Sequence, residues 1–155
     1  MASPAPIRPY LWFHDSAQEA MESYVSVFPN SSLDEVTLDP DENLSEHFEG
    51  MGGKVISGMF TLNGTPFGCI DGGTAFTFNE AVSFVIECAD QDEIDHYWQA
   101  LSAVPESEAC GWCKDRFGVS WQIVPAGLDL LQQRPEQIQA LMHMKKIVIA
   151  DLEIA

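Results

Sequence analysis

The strongest constraint on the fold is a pattern that occurs twice: an aromatic-rich strand followed by a short amphipathic helix. The first helix is predicted in SAQEAMESYVSVF and the second in DQDEIDHYWQALS. Each starts with a capping-box pattern, Ser16 to Glu19 and Asp90 to Glu93, and then places apolar residues at helical spacing. A repeated strand–helix arrangement of this kind predicts two similar structural units.

Short strands complete each half of the chain. In the first half, strands are predicted over 7–13, 32–38, 54–62 and 65–71, and the last two are joined by an Asn63-Gly64 hairpin turn. Residues 39–53 are acidic and end in glycines, which predicts a long loop or lid.

The second half repeats this order. A strand is predicted over 81–88, and a hairpin over 109–114 and 119–124 follows the second helix. We therefore predict an α+β fold, in which paired βαβββ units form a curved mixed sheet with the helices on the outside.

The whole chain, 1–155, is expected to be one domain, with repeat units at about 7–73 and 81–125. A helical tail is predicted over 128–155. Its main helix, over roughly 135–145, carries Ile138, Leu141, Met142 and Lys146 toward the final IVIADLEIA. This final segment is apolar for its position, which predicts that it packs on this chain or on a partner.

Charge limits the choice of partners. The chain has 7 basic and 24 acidic residues, a net charge of −17. Such a field repels phosphate backbones and anionic head groups, so nucleic acid and membrane surfaces are poor partners. No apolar run reaches the roughly 18 residues of a membrane span, and we find no secretory signal. We expect a cytoplasmic protein with reduced thiols.

The segment CGWCKDRFGVSWQIVP raises the question of a redox or zinc site at Cys110 and Cys113. A redox pair needs a helix after the motif, but a turn and a strand are predicted there. A four-cysteine zinc site needs a second close pair, and Cys69 and Cys88 lie far apart in sequence. The pair is therefore interpreted as two small strand residues, buried or lining a pocket.

Several segments resemble one known family. They are similar to the PhnB-like branch of the vicinal oxygen chelate (VOC) superfamily. The similar segments are PYLWFHDSAQEAMESYVSVFPNSSL, LNGTPFGCIDGG, FNEAVSFVIECADQDEIDHYWQALS, CGWCKDRFGVSWQIVP and MKKIVIADLEIA. That superfamily includes glyoxalase and the bleomycin-resistance proteins, and the branch often carries the label "3-demethylubiquinone-9 3-methyltransferase". The resemblance implies paired βαβββ units and a homodimer.

The resemblance also implies where a metal would bind. Metal-dependent VOC enzymes place His, Glu or Gln ligands on the first and last strand of each half. The matching positions here are Pro9, Cys69 or Asp71, Ser83 and Gln122. Proline has no donor atom and serine is a poor ligand, so we expect no metal and no other cofactor. The four histidines, which include no i, i+4 pair, do not replace these ligands.

A methyl-transferring Rossmann fold is not expected. It would need a Gly-rich turn that opens a helix, and Asp71-Gly72-Gly73 leads instead toward another strand.

What remains is a pocket on the concave sheet face. Strand alternation places Leu11 and Phe13 on the face of Pro9, and Val85, Glu87, Ser120 and Val124 on the face of Ser83 and Gln122. Trp112 and Lys114 on the neighbouring strand are predicted to close the pocket, where Lys114 contacts an anion. In the alternative interpretation, Trp112 is a core aromatic residue and Lys114 forms an ion pair with Asp115 in the turn. The predicted pocket consists of Phe13, Cys69, Asp71, Ser83, Trp112, Lys114 and Gln122.

Two functions fit this pocket. The first is a metal-independent small-molecule binding protein. The second is a VOC enzyme, either with an atypical metal site around Asp71, Glu87 and Gln122 or with a cysteine such as Cys69 as nucleophile.

Overall fold

A computed structural model describes residues 5–38 and 55–155. The chain divides into two compact units, residues 1–77 and 78–155. The predicted loop 39–53 lies outside the described residues. In the described ranges, no helix combines the length and the apolar character needed to cross a bilayer.

The first unit is a four-stranded sheet with one helix. Its elements are β1 (Tyr10–Phe13), α1 (Ala17–Val27), β2 (Ser32–Leu38), β3 (Val55–Leu62) and β4 (Thr65–Asp71). The strand order is β1-β4-β3-β2, with β1 parallel to β4 and the other pairs antiparallel. Asn63 and Gly64 both have positive φ, as a two-residue hairpin turn requires.

Helix α1 covers one face of this sheet. Its buried residues Ala17, Ala20, Met21 and Tyr24 belong to the same core as Leu11, Phe13, Phe60, Phe67 and Cys69 from the strands. Gly58 on β3 allows this close approach, because a Cβ there would collide with the side chain of Met21. The core of the unit therefore lies between α1 and the sheet.

The start of α1 differs from the sequence prediction. The predicted capping box is wrong, since the side chain of Ser16 makes no capping hydrogen bond. The backbone N–H of Ala17 instead donates to Oδ1 of Asp71, at 2.8 Å, so a carboxylate from β4 takes the capping role. This contact connects the end of β4 to the start of α1.

The second unit begins with the same order of elements. It contains β5 (Phe84–Cys88), α2 (Gln91–Leu101), β6 (Trp112–Lys114) and β7 (Ser120–Pro125), followed by α3 (Pro135–Met142) and α4 (Ile149–Ile154). The strand order is β5-β7-β6, with β5 parallel to β7 and β6 antiparallel to it. Both units thus pair their first strand in parallel with their last, and the predicted α+β fold is confirmed.

Helix α2 has the predicted cap. The side chain of Asp90 accepts a hydrogen bond from the N–H of Glu93 at 3.0 Å, and Glu93 in turn accepts from the N–H of Ala89 at 2.8 Å. Ile94, Tyr97 and Leu101 are buried, as the predicted stripe requires. These residues cover the sheet face that carries Cys88, Cys113, Trp121 and Ile123.

The C-terminal segment packs on the second unit. Ile147 and Leu152 are fully buried and form an apolar cluster with Val124 and Leu141. On α3, Gln137 and Leu141 are buried, whereas Ile138 and Met142 are exposed.

Two glutamines hold this segment by its backbone. Gln137 donates to the carbonyl of Leu152 at 3.1 Å. Gln91 on α2 donates to the carbonyl of Ile147 at 3.0 Å and accepts from the N–H of Ile149 at 2.9 Å. The apolar tail therefore packs on this chain, which was one of the two alternatives left by its composition.

Candidate functional site

The sheet of the second unit has one face against α2 and one face that carries polar and aromatic side chains. On β7, Trp121 and Ile123 are buried toward α2, so Gln122 between them points to the opposite side. We call this opposite side the outer face. It carries Val85 and Glu87 from β5, Trp112 and Lys114 from β6, and Ser120 and Gln122 from β7. Val124, also on this side of β7, is buried in the cluster of the C-terminal segment.

One row of side chains crosses the outer face at right angles to the strands. Val85 and Trp112 are the register partners of Gln122 on its two neighbouring strands. Gln122 donates a hydrogen bond to Oγ of Ser83 at 2.9 Å. Val85 is 54% exposed. The row therefore joins an amide–hydroxyl pair to an aliphatic and an aromatic side chain.

A second row lies one step along the hairpin. Lys114 and Ser120 are register partners on β6 and β7. The ammonium group of Lys114 forms an ion pair with Glu80, in the segment before β5, and this hydrogen bond lowers the pKa of the Glu80 carboxyl. The ion pair that the structure describes for Lys114 is thus with Glu80, and the carboxylate of Asp115 accepts hydrogen bonds within the hairpin.

Ser120 is the unusual member of this row. Only 2% of it is exposed, and within the described parts of the chain its hydroxyl oxygen has no hydrogen-bond partner. A buried hydroxyl without a partner costs about 1–3 kcal/mol relative to one that is satisfied. Such groups are rare in native structures.

Asp115 fixes the turn that holds both rows. Its buried carboxylate accepts hydrogen bonds from the N–H groups of Phe117 (2.9 Å) and Val119 (3.0 Å) and from the indole of Trp121 (2.8 Å). Gly118 has a φ of 92°, a conformation that glycine adopts without strain. The residues Asp115, Gly118 and Trp121 of the quoted segment therefore have a structural role in the hairpin.

Three predicted pocket residues lie elsewhere. Phe13, Cys69 and Asp71 are at most 2% exposed and belong to the buried side of the first sheet, against α1. The expectation that Leu11 and Phe13 lie on an open face is wrong, because these two residues pack into the core of the first unit. Tyr10 and Trp12 occupy the opposite side of β1.

Cys69 does not have the properties of a nucleophile. Burial, and then the nearby carboxylate of Asp71, raise the pKa of the Cys69 thiol to about 12. A nucleophilic cysteine needs an environment that stabilises the thiolate, and this one stabilises the thiol. The cysteine alternative for this position is therefore not supported.

The C-x-x-C segment shows the predicted turn-and-strand context. Cys113 lies on β6, fully buried toward α2, and burial raises its pKa to about 12. Cys110 is half-buried beside the apolar cluster of the C-terminal segment and has a φ of 52°. No helix follows the pair, because β6 leads directly into the turn at Asp115.

The family's metal-ligand positions do not fit a divalent cation. Pro9 offers no donor atom, and Asp71 is engaged with the start of α1. Ser83 and Gln122 are hydrogen-bonded to each other. Within 5–38 and 55–155, no three His, Cys, Asp or Glu side chains are grouped as ligands for one ion.

Sequence reasoning placed Ser83, Trp112, Lys114 and Gln122 on one face, where the structure also has them. It missed Glu80 and the importance of Ser120. Strand alternation already put Ser120 on the face of Gln122, but its missing partner is a property of the folded chain. Glu80 lies outside the regular strands, and its contact with Lys114 has no signal in the sequence.

Comparison with known proteins agrees with this fold. Residues 5–124 match the model of a family described as 3-demethylubiquinone-9 3-methyltransferase. A PhnB protein from Bacillus cereus that carries the same family name is 34% identical, over 79% of this chain and 100% of that chain, with a TM-score of 0.66. A comparison with curated protein sequences gave no match.

Two more distant structures share the fold. Protein PA1353 from Pseudomonas aeruginosa is 19% identical over 79% of this chain and 98% of its own, with a TM-score of 0.58. The fosfomycin resistance protein FosX from Listeria monocytogenes is 12% identical over 84% of this chain and 98% of its own, with a TM-score of 0.52. The chain therefore belongs to the 3-demethylubiquinone-9 3-methyltransferase family, whose model it matches over residues 5–124 and whose name the PhnB protein of Bacillus cereus also carries.

Proposed function

We propose that this protein binds a small molecule on the outer face of its second unit, without a metal ion. The observation that carries the proposal is the row of Val85, Gln122 and Trp112, with Ser83 hydrogen-bonded to Gln122. Ligand sites in proteins combine apolar and aromatic surface with a few polar groups that fix orientation. This row has that composition on a single sheet face.

Two features support binding rather than the other chemistries that the family name and superfamily suggest. Methyl transfer on a Rossmann fold needs a glycine-rich turn that opens a helix, and here Gly72-Gly73 follow the end of β4, with β5 as the next regular element. The metal site that the family resemblance implies uses donors at four strand positions, and two of these positions hold Pro9 and Ser83, whose hydroxyl already accepts a hydrogen bond.

A thermal-shift screen with small aromatic compounds tests this proposal. Compounds that bind should raise the melting temperature of the wild-type protein, and the rise should be the same with and without EDTA. Trp112→Ala should abolish the rise. The matched control is Trp98→Ala, which removes a half-buried tryptophan from α2 and should leave the rise intact. A rise that requires added Mn²⁺, Ni²⁺ or Zn²⁺, or one that Trp112→Ala leaves unchanged, contradicts the proposal.

We further infer that the chain acts as a homodimer, as its family resemblance implies. Support comes from the edge strand β2, on which Leu33, Val36 and Leu38 are 43%, 44% and 55% exposed. An edge strand with exposed apolar side chains favours pairing with another chain. Light scattering after size exclusion should give twice the monomer mass, and Val36→Lys should lower it. Leu130→Lys, at an exposed leucine of the second unit, is the control; a monomeric wild-type protein contradicts the inference.

A further inference from the structure

We infer that the ligand of the outer face carries an oxyanion, a carboxylate or phosphonate on a small aromatic body, which Lys114 and Ser120 bind in place of Glu80. This inference rests on the proposed binding function and names the chemical class of its ligand. It follows from three observations within the second unit. The hydroxyl of Ser120 has no hydrogen-bond partner among the described residues, Lys114 is its register partner, and Lys114 forms an ion pair with the exposed carboxylate of Glu80.

The first observation is the hydroxyl of Ser120. It is buried and has no hydrogen-bond partner among the residues that the structure describes. A serine hydroxyl can donate one hydrogen bond, and a hydrogen bond to a charged acceptor is stronger than one to a neutral acceptor. An anionic oxygen of a ligand would therefore gain more from this group than a neutral one.

The second observation is the position of Lys114. It is the register partner of Ser120, and partners on one face of an antiparallel pair have Cβ atoms about 4.5–5.5 Å apart. The two side chains therefore start from neighbouring positions on the same face of the hairpin. The side chain of Lys114 is only 23% exposed, so the lysine stem lies along the sheet rather than in solvent.

The third observation is the nature of the present partner of Lys114. Glu80 supplies a carboxylate from a segment outside the strands, and its side chain is 57% exposed. Exposed ion pairs contribute little free energy, because water screens the two charges. A ligand carboxylate that also accepts from Ser120 gains a hydrogen bond that Glu80 does not make. Glu80 thus occupies the place of the ligand's oxyanion and can be displaced.

The row of Val85, Gln122 and Trp112 explains why the oxyanion belongs to an aromatic molecule. This row lies one step along the same face from Lys114 and Ser120. A free inorganic anion would use only the second row and would leave the apolar side chains unoccupied. A benzoate or phenylphosphonate ion could place its charge at Lys114 and its ring beside Trp112.

Calorimetric titration with three probes tests the inference: benzoate, phenylphosphonate and the neutral benzamide. The wild-type protein should bind the two anions about tenfold more tightly than benzamide, the ratio expected for one charge-assisted hydrogen bond. Glu80→Gln frees Lys114 and should tighten anion binding several-fold, while benzamide binding stays the same.

Variants of the two binding residues should have the opposite effect. Lys114→Met and Ser120→Ala should each weaken the anions about tenfold, with little change for benzamide. Lys145→Met is the control, because it removes another lysine of the second unit, paired with Glu108 at 3.6 Å. Glu80→Gln changes an exposed side chain, so it keeps the test decisive even if Ser120→Ala fails to fold.

The outcomes separate the two proposals. Equal binding of anionic and neutral probes in the wild-type protein and in Glu80→Gln overturns the oxyanion inference and leaves the binding function standing. The same conclusion follows if Lys114→Met binds the anions as well as the wild type does. Failure of every probe to bind either protein overturns both proposals.

Discussion

The indole N–H of Trp121 donates a hydrogen bond of 2.8 Å to the buried carboxylate of Asp115. This contact ties β7 to the turn that connects it with β6. The same carboxylate accepts two backbone N–H groups of the turn, so one side chain sets the register in which Lys114 and Ser120 face each other. The geometry of the outer face therefore depends on a residue that does not belong to it.

Loss of this carboxylate should destabilise the protein strongly. Asp115→Ala leaves the buried indole N–H of Trp121 and two turn N–H groups without their acceptor, and we expect a loss of about 2–4 kcal/mol of unfolding free energy. Urea denaturation measures it. The control is Asp129→Ala, at an exposed aspartate, which should change stability by less than about 0.5 kcal/mol. Equal small losses in both variants would contradict the role of Asp115.

The cap of α1 gives a second prediction. Asp71→Ala removes the acceptor of the Ala17 N–H and should cost about 1–3 kcal/mol, because both groups are buried. Ser16→Ala should cost less than about 0.5 kcal/mol, since its side chain makes no capping bond. A larger loss for Ser16→Ala than for Asp71→Ala in urea denaturation would restore the capping box predicted from the sequence.

The C-terminal segment should contribute to the stability of the second unit. Leu152 is fully buried in the cluster with Val124, Leu141 and Ile147, so Leu152→Ala should lower the unfolding free energy by about 2–5 kcal/mol. Ile154 on the same helix is 84% exposed, and Ile154→Ala should have almost no effect. Similar melting temperatures for the two variants would show that the segment does not pack as described.

The cysteines should differ in their reactivity. Cys69, Cys88 and Cys113 are buried and each has a pKa of about 12, whereas Cys110 is half-buried. At pH 8 the native protein should therefore react with a thiol reagent at one residue, and Cys110→Ser should abolish this fast reaction. Fast modification of two or more thiols in the native state would contradict the burial described for the other three.

The same thiols predict a loss of stability at alkaline pH. Their pKa values rise on folding from an ordinary value of 9.0 to about 12, so between these values the unfolded chain loses protons that the folded chain keeps. The contribution of these thiols to the free energy of unfolding is therefore complete below about pH 9 and is lost as the pH rises toward 12. Urea midpoints at pH 8 and 10 should show the fall, and Cys69→Ala, with one thiol fewer, should show a shallower one. A stability that increases over this range would contradict the assignment.

The sequence predicted the strands better than the faces of the strands. The bounds of β2 and β4 agree with the expected ranges, because each is closed by turn residues. On β7, single polar residues alternate with large apolar ones, and the face of Gln122 was predicted correctly. On β1, all four residues Tyr10–Phe13 are large and apolar, so alternation could not tell which side meets α1, and Phe13 was placed on the wrong face.

Tertiary contacts explain what else the sequence did not reveal. The carboxylate that caps α1 comes from Asp71, 54 residues further along the chain, while the nearby Ser16 had the better local pattern. Likewise, one of the two interpretations of Lys114 paired it with its neighbour Asp115. The sequence gives no signal for the contact of Lys114 with Glu80, or for the hydrogen bond from Trp121 to Asp115. In both cases, the prediction assigned a hydrogen-bond or ion-pair partner from nearby in the sequence, whereas the folded chain uses a residue that is distant in sequence.

The most direct test of ligand binding on the outer face uses the four tryptophans of the chain. Their indole N–H signals in a ¹H–¹⁵N spectrum can be assigned with single Trp→Phe variants and followed during titration with phenylphosphonate. The account predicts that the Trp112 signal shifts in a saturable manner, while the signals of Trp98 on α2 and of Trp121 on the α2 side of β7 stay in place. A shift of Trp98 or Trp121 with Trp112 unchanged, or no shift of any signal, would contradict it.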